Sequence, residues 1–434
     1  MVFEKIKQLS QSIEGEMITR RRDFHKHAET GWFEMRTTSI IARHLTNLGY
    51  EVLLGEDVCL REARMGVPSE EELEKHYALA LEQGADPEFL PYTKGGMTGV
   101  IGILRCGEGP TVAMRFDIDA LGVIESDEPD HRPMAEGFAS INRGAMHACG
   151  HDGHASVGMG VATVLSSIRE QLHGTVKLIF QPAEEGVRGA KSIVEKGHLD
   201  QVDYFISAHM TGKKPEDPEW VIPGCEGCLA TCKYDVTYRG VSAHAGGAPH
   251  KGKNALLAAA AAVMNLYAIP RHGAGATRVN VGKLIAGSGR NVIADEAFME
   301  IELRGDTTEI NEYMCACAED ILKNTAAMYG CSCEIKLMGA ASSLASDRDF
   351  CEYLQKLFQE KLDFPTTERL ILHSGGSEDV SYMVGRVQEQ GGKATFMRAM
   401  TTAGPAHNRR YDFDESVLVH AVQAFCAAVA DLLK

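Results

Sequence analysis

No lysine- and arginine-rich run occurs in this chain of 434 residues, whose 60 acidic side chains outnumber 44 basic ones for a formal net charge of −16. An acidic protein without a basic patch is a poor nucleic-acid binder, because phosphate contacts dominate that affinity. It is not drawn to an anionic membrane surface either. The charge reads as a solubility feature. No apolar stretch is long enough to span a membrane: the longest, Ala255 to Ala268, is short and alanine-rich. Met1 to Gly15 is polar and amphipathic and lacks the apolar core and cleavage site of a secretory signal, so a cytoplasmic address is expected. The twelve cysteines are scattered, and a chain this long does not need disulfide staples. Cys225 and Cys228 make a single CxxC with Cys232 nearby. Zinc or redox use is open there, but without a second pair ordinary reduced thiols are the plainer reading. There is no internal repeat and no low-complexity segment.

What is present is ordinary globular composition, 44% apolar and 24% charged, at a length that suggests two domains. Apolar spacing predicts amphipathic helices over Lys5 to Phe24 and Thr37 to Leu48. Ser69-Glu70-Glu71-Glu72 reads as a capping box opening a charged helix to about Gln83. That helix lies in a polar stretch, Glu56 to Gly95, expected to be an inserted surface lid or interface element. Short apolar runs follow at Val100 to Leu104, Thr111 to Phe116, Thr175 to Gln181 and Tyr204 to His209. Helical patterns at Ala155 to Gln171 and Gly189 to Gly197 separate several of them. This alternation predicts an α/β fold with a mixed, mostly parallel sheet flanked by helices. From about Cys228 to Met338 the order is strand, helix, strand, strand, helix, strand, which is ferredoxin-like. The expected boundaries are 1–227 and 342–434 for one discontinuous catalytic domain and 228–341 for an inserted α+β lid or dimerisation domain.

In parallel sheets, functional residues collect at the carboxyl ends of strands, and the polar clusters of this chain fall there. Asp117 and Asp119 follow one run, Glu184 and Glu185 another, and His209 closes a third. His147-Ala148-Cys149-Gly150-His151-Asp152-Gly153-His154 packs three imidazoles, a thiol and a carboxylate into eight residues. Such a set suits a divalent ion. The thiol favours zinc, whereas manganese tolerates the imidazoles and carboxylates better. The alternative is a polar loop whose last histidine merely starts a helix, and for His154 alone that is the better reading. Adjacent carboxylates such as Glu184 and Glu185 can divide labour, one on a metal and one moving protons, although most such pairs are solvated surface. Of Asp117 and Asp119, one can ligate and one can orient a histidine ligand from behind. His209 and His407 gain meaning only as members of the set.

These motifs, with Arg20-Arg21-Arg22-Asp23-Phe24-His25 and Glu29-Thr30-Gly31-Trp32, resemble the co-catalytic dinuclear metallopeptidases of the aminoacylase and carboxypeptidase type. The match is to the amidohydrolase branch and spans nearly the whole chain, including the Glu56 to Gly95 stretch and the runs Met146 to His154, Lys177 to Gly186, Arg278 to Val292 and Tyr411 to Glu415.

The resemblance implies a zinc-exopeptidase-like fold and two divalent metal ions per chain, zinc or manganese, held by Cys149, His151, Glu185, His209 and His407. Glu184 would be the general base, and Asp119 would sit behind the ligands. In other branches the position of Asp117 holds a histidine ligand, which leaves the role of Asp119 less fixed. His244 would stabilise the oxyanion across a dimer interface. Asn291 and Arg304 would touch the substrate carboxylate, and Gly376, in the His373 to Asp379 loop, would line the pocket. His407 has no neighbouring histidine, unlike the branch pattern, but still precedes Asn408. The implied activity is hydrolysis of a small N-aroyl or N-acyl amino acid, p-aminobenzoyl-glutamate first. General N-acyl-amino-acid (hippurate-like) hydrolysis, or service as a weakly active companion subunit, are the alternatives. The implied partners are a second copy joined through the lid and a paralogous second subunit, with no nucleic acid and no membrane.

Overall fold

A computed structural model describes residues 2–214, 216–365 and 376–434. The chain divides into two compact units: Met1–Glu226 with Ala345–Ser374 and Asp379–Lys434, and Gly227–Leu344 with Gly375–Glu378.

The larger unit is built on a seven-stranded mixed sheet. Its order is Glu51–Leu54, Val100–Arg105, Thr175–Gln181, Thr111–Asp117, Tyr204–Gly212, Lys393–Thr401, Val221–Ile222. The four strands from Thr175–Gln181 to Lys393–Thr401 run parallel, and the flanking pairs are antiparallel. The parallel strands are buried along nearly their whole length, as expected when helices cover both faces. Phe116 packs against Phe180 and Phe425 at ring separations of 5.6 and 5.0 Å, joining the sheet to the long helix Val417–Leu432.

The helix expected over Lys5 to Phe24 is two helices, Val2–Ser12 and Glu14–Lys26. The hydroxyls of Ser10 and Ser12 donate to the carbonyls of Lys7 and Leu9, competing with the helical ladder where it breaks. The capping box forms at Ser69, and the helix runs Glu70–Glu82. The segment expected to be a lid or interface element has an anchored inner face. Leu73, Ala80, Ala85 and Leu90 share a small core with Met35 of the helix Met35–Asn47, and the buried Trp32 indole donates to the Met65 carbonyl at 2.8 Å. The segment is therefore a docked part of the larger unit.

The smaller unit is a four-stranded antiparallel sheet ordered Ser332–Ala341, Ala230–Arg239, Glu296–Gly305, Thr277–Ala286. With the helices Ala255–Tyr267 and Thr308–Met328 it forms the ferredoxin-like pattern. Val236, Tyr238, Ala258, Ala262, Met299, Met314 and Leu322 form its core. No helix among the described residues is long and apolar enough to cross a membrane.

Candidate metal centre

Three parallel strands deliver the chemistry. Asp117 ends one, Gln181 leads from another into Glu184 and Glu185, and His209 lies near the end of the third. The loop before the helix His151–Ile168 closes over them. Gly150 makes that turn at φ +88°, and a Cβ there would meet the Tyr411 hydroxyl at 2.9 Å, so only glycine satisfies both demands.

Potential ligand atoms of Cys149, His151 and His209 lie within 4.8 Å of one another, as do those of Cys149, Glu185 and His407, and those of His151, Glu184 and Glu185. Cys149 and His151 each belong to two of these trios, so the groups form one cluster. All five residues expected as ligands, and the expected base, are in it.

Each imidazole has one nitrogen committed. His151 Nδ1 faces the Asp119 carbonyl at 3.0 Å and its carboxylate at 3.3 Å. His151 Nε2 is buried without a hydrogen-bond partner, 3.6 Å from Asp117 and 4.0 Å from Glu184. His209 donates from Nδ1 to the Met210 carbonyl at 2.6 Å and turns Nε2 to the Cys149 sulfur at 3.4 Å. Ring nitrogens fixed in this way are typical of metal-binding histidines. A tetrahedral zinc at about 2.3 Å from sulfur and about 2.0 Å from nitrogen would separate the two donors by about 3.5 Å. The orphaned Nε2 and the sulfur–nitrogen spacing fit a bound cation.

The electrostatics agree. Burial pushes the Cys149 thiol up to about 11, so its thiolate needs a cation beside it. Burial, with the charge of His154 second, holds His209 well below the ordinary imidazole range and keeps it neutral. For His151 burial works the other way from Asp117 and Asp119, which prevail and raise it.

Asp119 and Asp117 serve different partners. Asp119 accepts from the Glu184 and Glu185 amides at 3.1 and 2.9 Å. Asp117 ion-pairs with Arg115 at 2.8 Å and takes the proton of His154 Nδ1, while His154 Nε2 accepts from the Met210 amide at 2.8 Å. Both nitrogens of His154 are thus engaged, although it also groups with Asp117 and His151; a structural role is the better account. His407 adopts φ +61°, a strained value for a histidine, and its amide donates to the Ala148 carbonyl at 2.8 Å.

The remaining expected residues lie in the smaller unit. His244 is exposed, and its Nδ1 accepts from the Gly246 and Gly247 amides at 3.1 and 3.0 Å. Its neutral form therefore carries the proton on Nε2 as a donor. Asn291 is exposed. Arg304 is half-buried and pairs with Glu302 at 3.0 Å. Gly376 is exposed and its carbonyl accepts from the Leu229 amide at 2.8 Å. His373, in the loop expected around it, lies outside the described residues.

The sequence reading passed over several supporting residues. Arg21 is wholly buried and pairs with Asp152, next to His151, at 2.8 Å and with Asp412 at 2.7 Å. His25 bridges Asp152 and Glu125 at 2.8 and 3.0 Å. Glu34 is buried and accepts from the Ala183 amide at 2.7 Å. Charged residues set among apolar neighbours, as in Trp32-Phe33-Glu34-Met35 and Met114-Arg115-Phe116, were the available signal.

Residues 113–431 match the family described as peptidase family M20/M25/M40. The chain is 46% identical to indole-3-acetyl-aspartic acid hydrolase of Enterobacter agglomerans, covering 94% of each chain. It is 42% identical to an Escherichia coli protein named as one subunit of p-aminobenzoyl-glutamate hydrolase, covering 97% of each. Among solved structures it resembles an aminobenzoyl-glutamate utilization protein from Klebsiella pneumoniae, with a TM-score of 0.83, 39% identity, and 98% and 97% coverage of the two chains. It also resembles the Bacillus subtilis YxeP protein, described as a dinuclear metal binding peptidase, with a TM-score of 0.65, 25% identity, and 98% and 99% coverage. Both the ligand-bearing segments and the fold around them are accounted for by these matches: the chain belongs to peptidase family M20/M25/M40 and is a metal-dependent amide hydrolase.

Proposed function

We propose that the chain hydrolyses the amide bond of an N-aroyl or N-acyl amino acid, p-aminobenzoyl-glutamate foremost, releasing p-aminobenzoate and glutamate. The observation that carries the hydrolytic centre is the convergence of thiol, imidazole and carboxylate donors around Cys149, with His151 Nε2 buried and unsatisfied. The substrate class is supported by two relatives, named for cleaving an aromatic acyl group from aspartic acid and from glutamate.

In this reading Cys149, His151, Glu185, His209 and His407 hold two divalent ions, zinc or manganese. Bound there, the pair supplies Lewis-acid polarisation and a water of lowered pKa. Glu184 takes a proton from the attacking water and delivers it to the leaving amide nitrogen. Asp119 fixes the His151 ring and the backbone of both glutamates. His244 donates from Nε2 to the developing oxyanion, usually the largest single contribution in such reactions. Asn291 and Arg304 bind the substrate carboxylate, for which Arg304 exchanges its pairing with Glu302, and Gly376 lines the pocket.

The smaller unit would also join two copies. Leu256, Leu257, Met264 and Tyr267 on one helix and Leu284 and Ile285 on the sheet's edge strand are exposed apolar residues, more than an isolated surface needs. A second, paralogous subunit is a further partner, because one relative is named as part of a hydrolase with more than one kind of chain.

The test is amino-acid release by metal-loaded protein, alone and with a paralogous subunit, from p-aminobenzoyl-glutamate, indoleacetyl-aspartate, hippurate and an acetyl amino acid. The expected result is cleavage of the acidic conjugates and strong rejection of the neutral ones. Comparable kcat/KM on hippurate would replace the substrate claim with general N-acyl-amino-acid hydrolysis. Cleavage only with the added subunit would mark this chain as a companion.

A further inference from the structure

The turn that carries Glu184 and Glu185 is strained. Ala183 and Val187 have φ of +51° and +59°, values that are costly for alanine and more so for a β-branched residue. Such backbone persists only where its surroundings over-determine it. On the amide side, carboxylates of Glu34 and Asp119 hold Ala183, Glu184 and Glu185. On the carbonyl side, Arg188 Nε donates to the Glu185 carbonyl at 2.8 Å, and Arg188 Nη1 reaches the Gly66 carbonyl at 3.1 Å. Gly66 belongs to the docked segment 56–95. There the Trp32 indole holds Met65, and Arg64 donates to the carbonyls of Gly95 and Gly96, each at 2.9 Å. The guanidinium also lies against Gly31, where a Cβ would stand 2.2 Å from Nη2 and 3.0 Å from Ala183.

We infer that Arg188 is a positioning residue for Glu185, and that the segment 56–95 serves as the fixed point against which Arg188 holds it. This rests on the reading of Glu185 as a metal ligand. The planar fork lets one side chain tie two carbonyls at a set spacing, which a lysine ammonium on a flexible stem does not reproduce. Gly31 is glycine because the guanidinium fills the space of its side chain.

The test compares the full-length native protein with Arg188→Met, Arg188→Lys, Gly31→Ala and, as a control, Arg61→Met, whose exposed side chain pairs only locally with Glu56. Each is stripped of metal and titrated with Zn2+ against a competing chelator, and with Co2+ by visible absorption. Circular dichroism of the metal-free form reports folding. The expected result is a 10–100-fold weaker binding of one ion in Arg188→Met and Gly31→Ala, the range for residues supporting metal ligands. A changed Co2+ band, partial recovery in Arg188→Lys and no change in Arg61→Met complete the expectation. Native-like affinity and spectrum in both Arg188→Met and Gly31→Ala, with two ions bound to the native chain, would overturn this inference alone. A native chain that binds no metal would overturn the ligand reading as well.

Discussion

His44 shows how a single buried imidazole couples pH to stability in this protein. Its Nδ1 lies 3.1 Å from the Arg20 guanidinium, and its Nε2 lies 3.1 Å from both the Met159 carbonyl and the Thr163 hydroxyl. The neutral Nε2–H form satisfies all three, and a second proton on Nδ1 would face the arginine. Burial, with Arg20 adding to it, lowers its pKa from 6.5 to about 4. The unfolded chain therefore takes up the proton first as pH falls. The contribution to stability is whole above about pH 6.5 and is lost progressively down to about pH 4. Urea unfolding at pH 7 and 4.5 should show a smaller acid loss in His44→Gln, which does not titrate there, than in the native chain; equal losses would contradict this account. Ligand-type residues were legible in the sequence at this scale because histidine, cysteine and paired acids cluster in short motifs. Their supports were not, since Arg21, Glu34, Arg115 and Arg188 act on partners far along the chain, and local spacing carries no trace of those contacts.

Between the residue and the whole lie the elements, and the helix Glu70–Glu82 is the most exposed to test. Ser69 accepts from the Glu72 amide while the Glu72 carboxylate takes the Ser69 amide at 3.0 Å. Removing one half of such a box costs about 1 kcal/mol. Ser69→Ala should lower stability by that amount and leave metal content unchanged; no loss on thermal or urea unfolding would mean the cap adds nothing. The cap was readable because its signal is local, four residues long. The docking of the same helix was not, because only Leu73 and Ala80 of its residues are buried, too few to make an apolar stripe. The break near Ile13 was hidden for the opposite reason: the apolar period of Ile6, Leu9, Ile13 and Met17 continues across it, while serine hydroxyls and Gly15 interrupt the backbone beneath.

For the molecule as a whole, the sequence made both architectures readable, since alternation of strand and helix distinguishes a parallel sheet from a ferredoxin-like one. Strand order along the large sheet needed the structure, because parallel neighbours are distant in sequence. The exposed apolar face on the helix Ala255–Tyr267 and its edge strand is a whole-molecule feature with a direct consequence. Met264 is 74% exposed, so Met264→Glu should fold normally yet shift a dimer toward monomer at micromolar concentration. A native chain that is monomeric by light scattering would contradict the proposed pairing.

The central claim is that the cluster around Cys149 holds metal and that Glu184 moves the proton. Its most direct test is metal content measured together with glutamate release from p-aminobenzoyl-glutamate, for the native protein and for Glu184→Ala. The account predicts about two ions per chain in both, turnover in the native form that chelation abolishes, and a loss of about 10²–10⁴-fold in the variant. A native chain that binds no divalent metal, or a variant that retains full turnover, would contradict it.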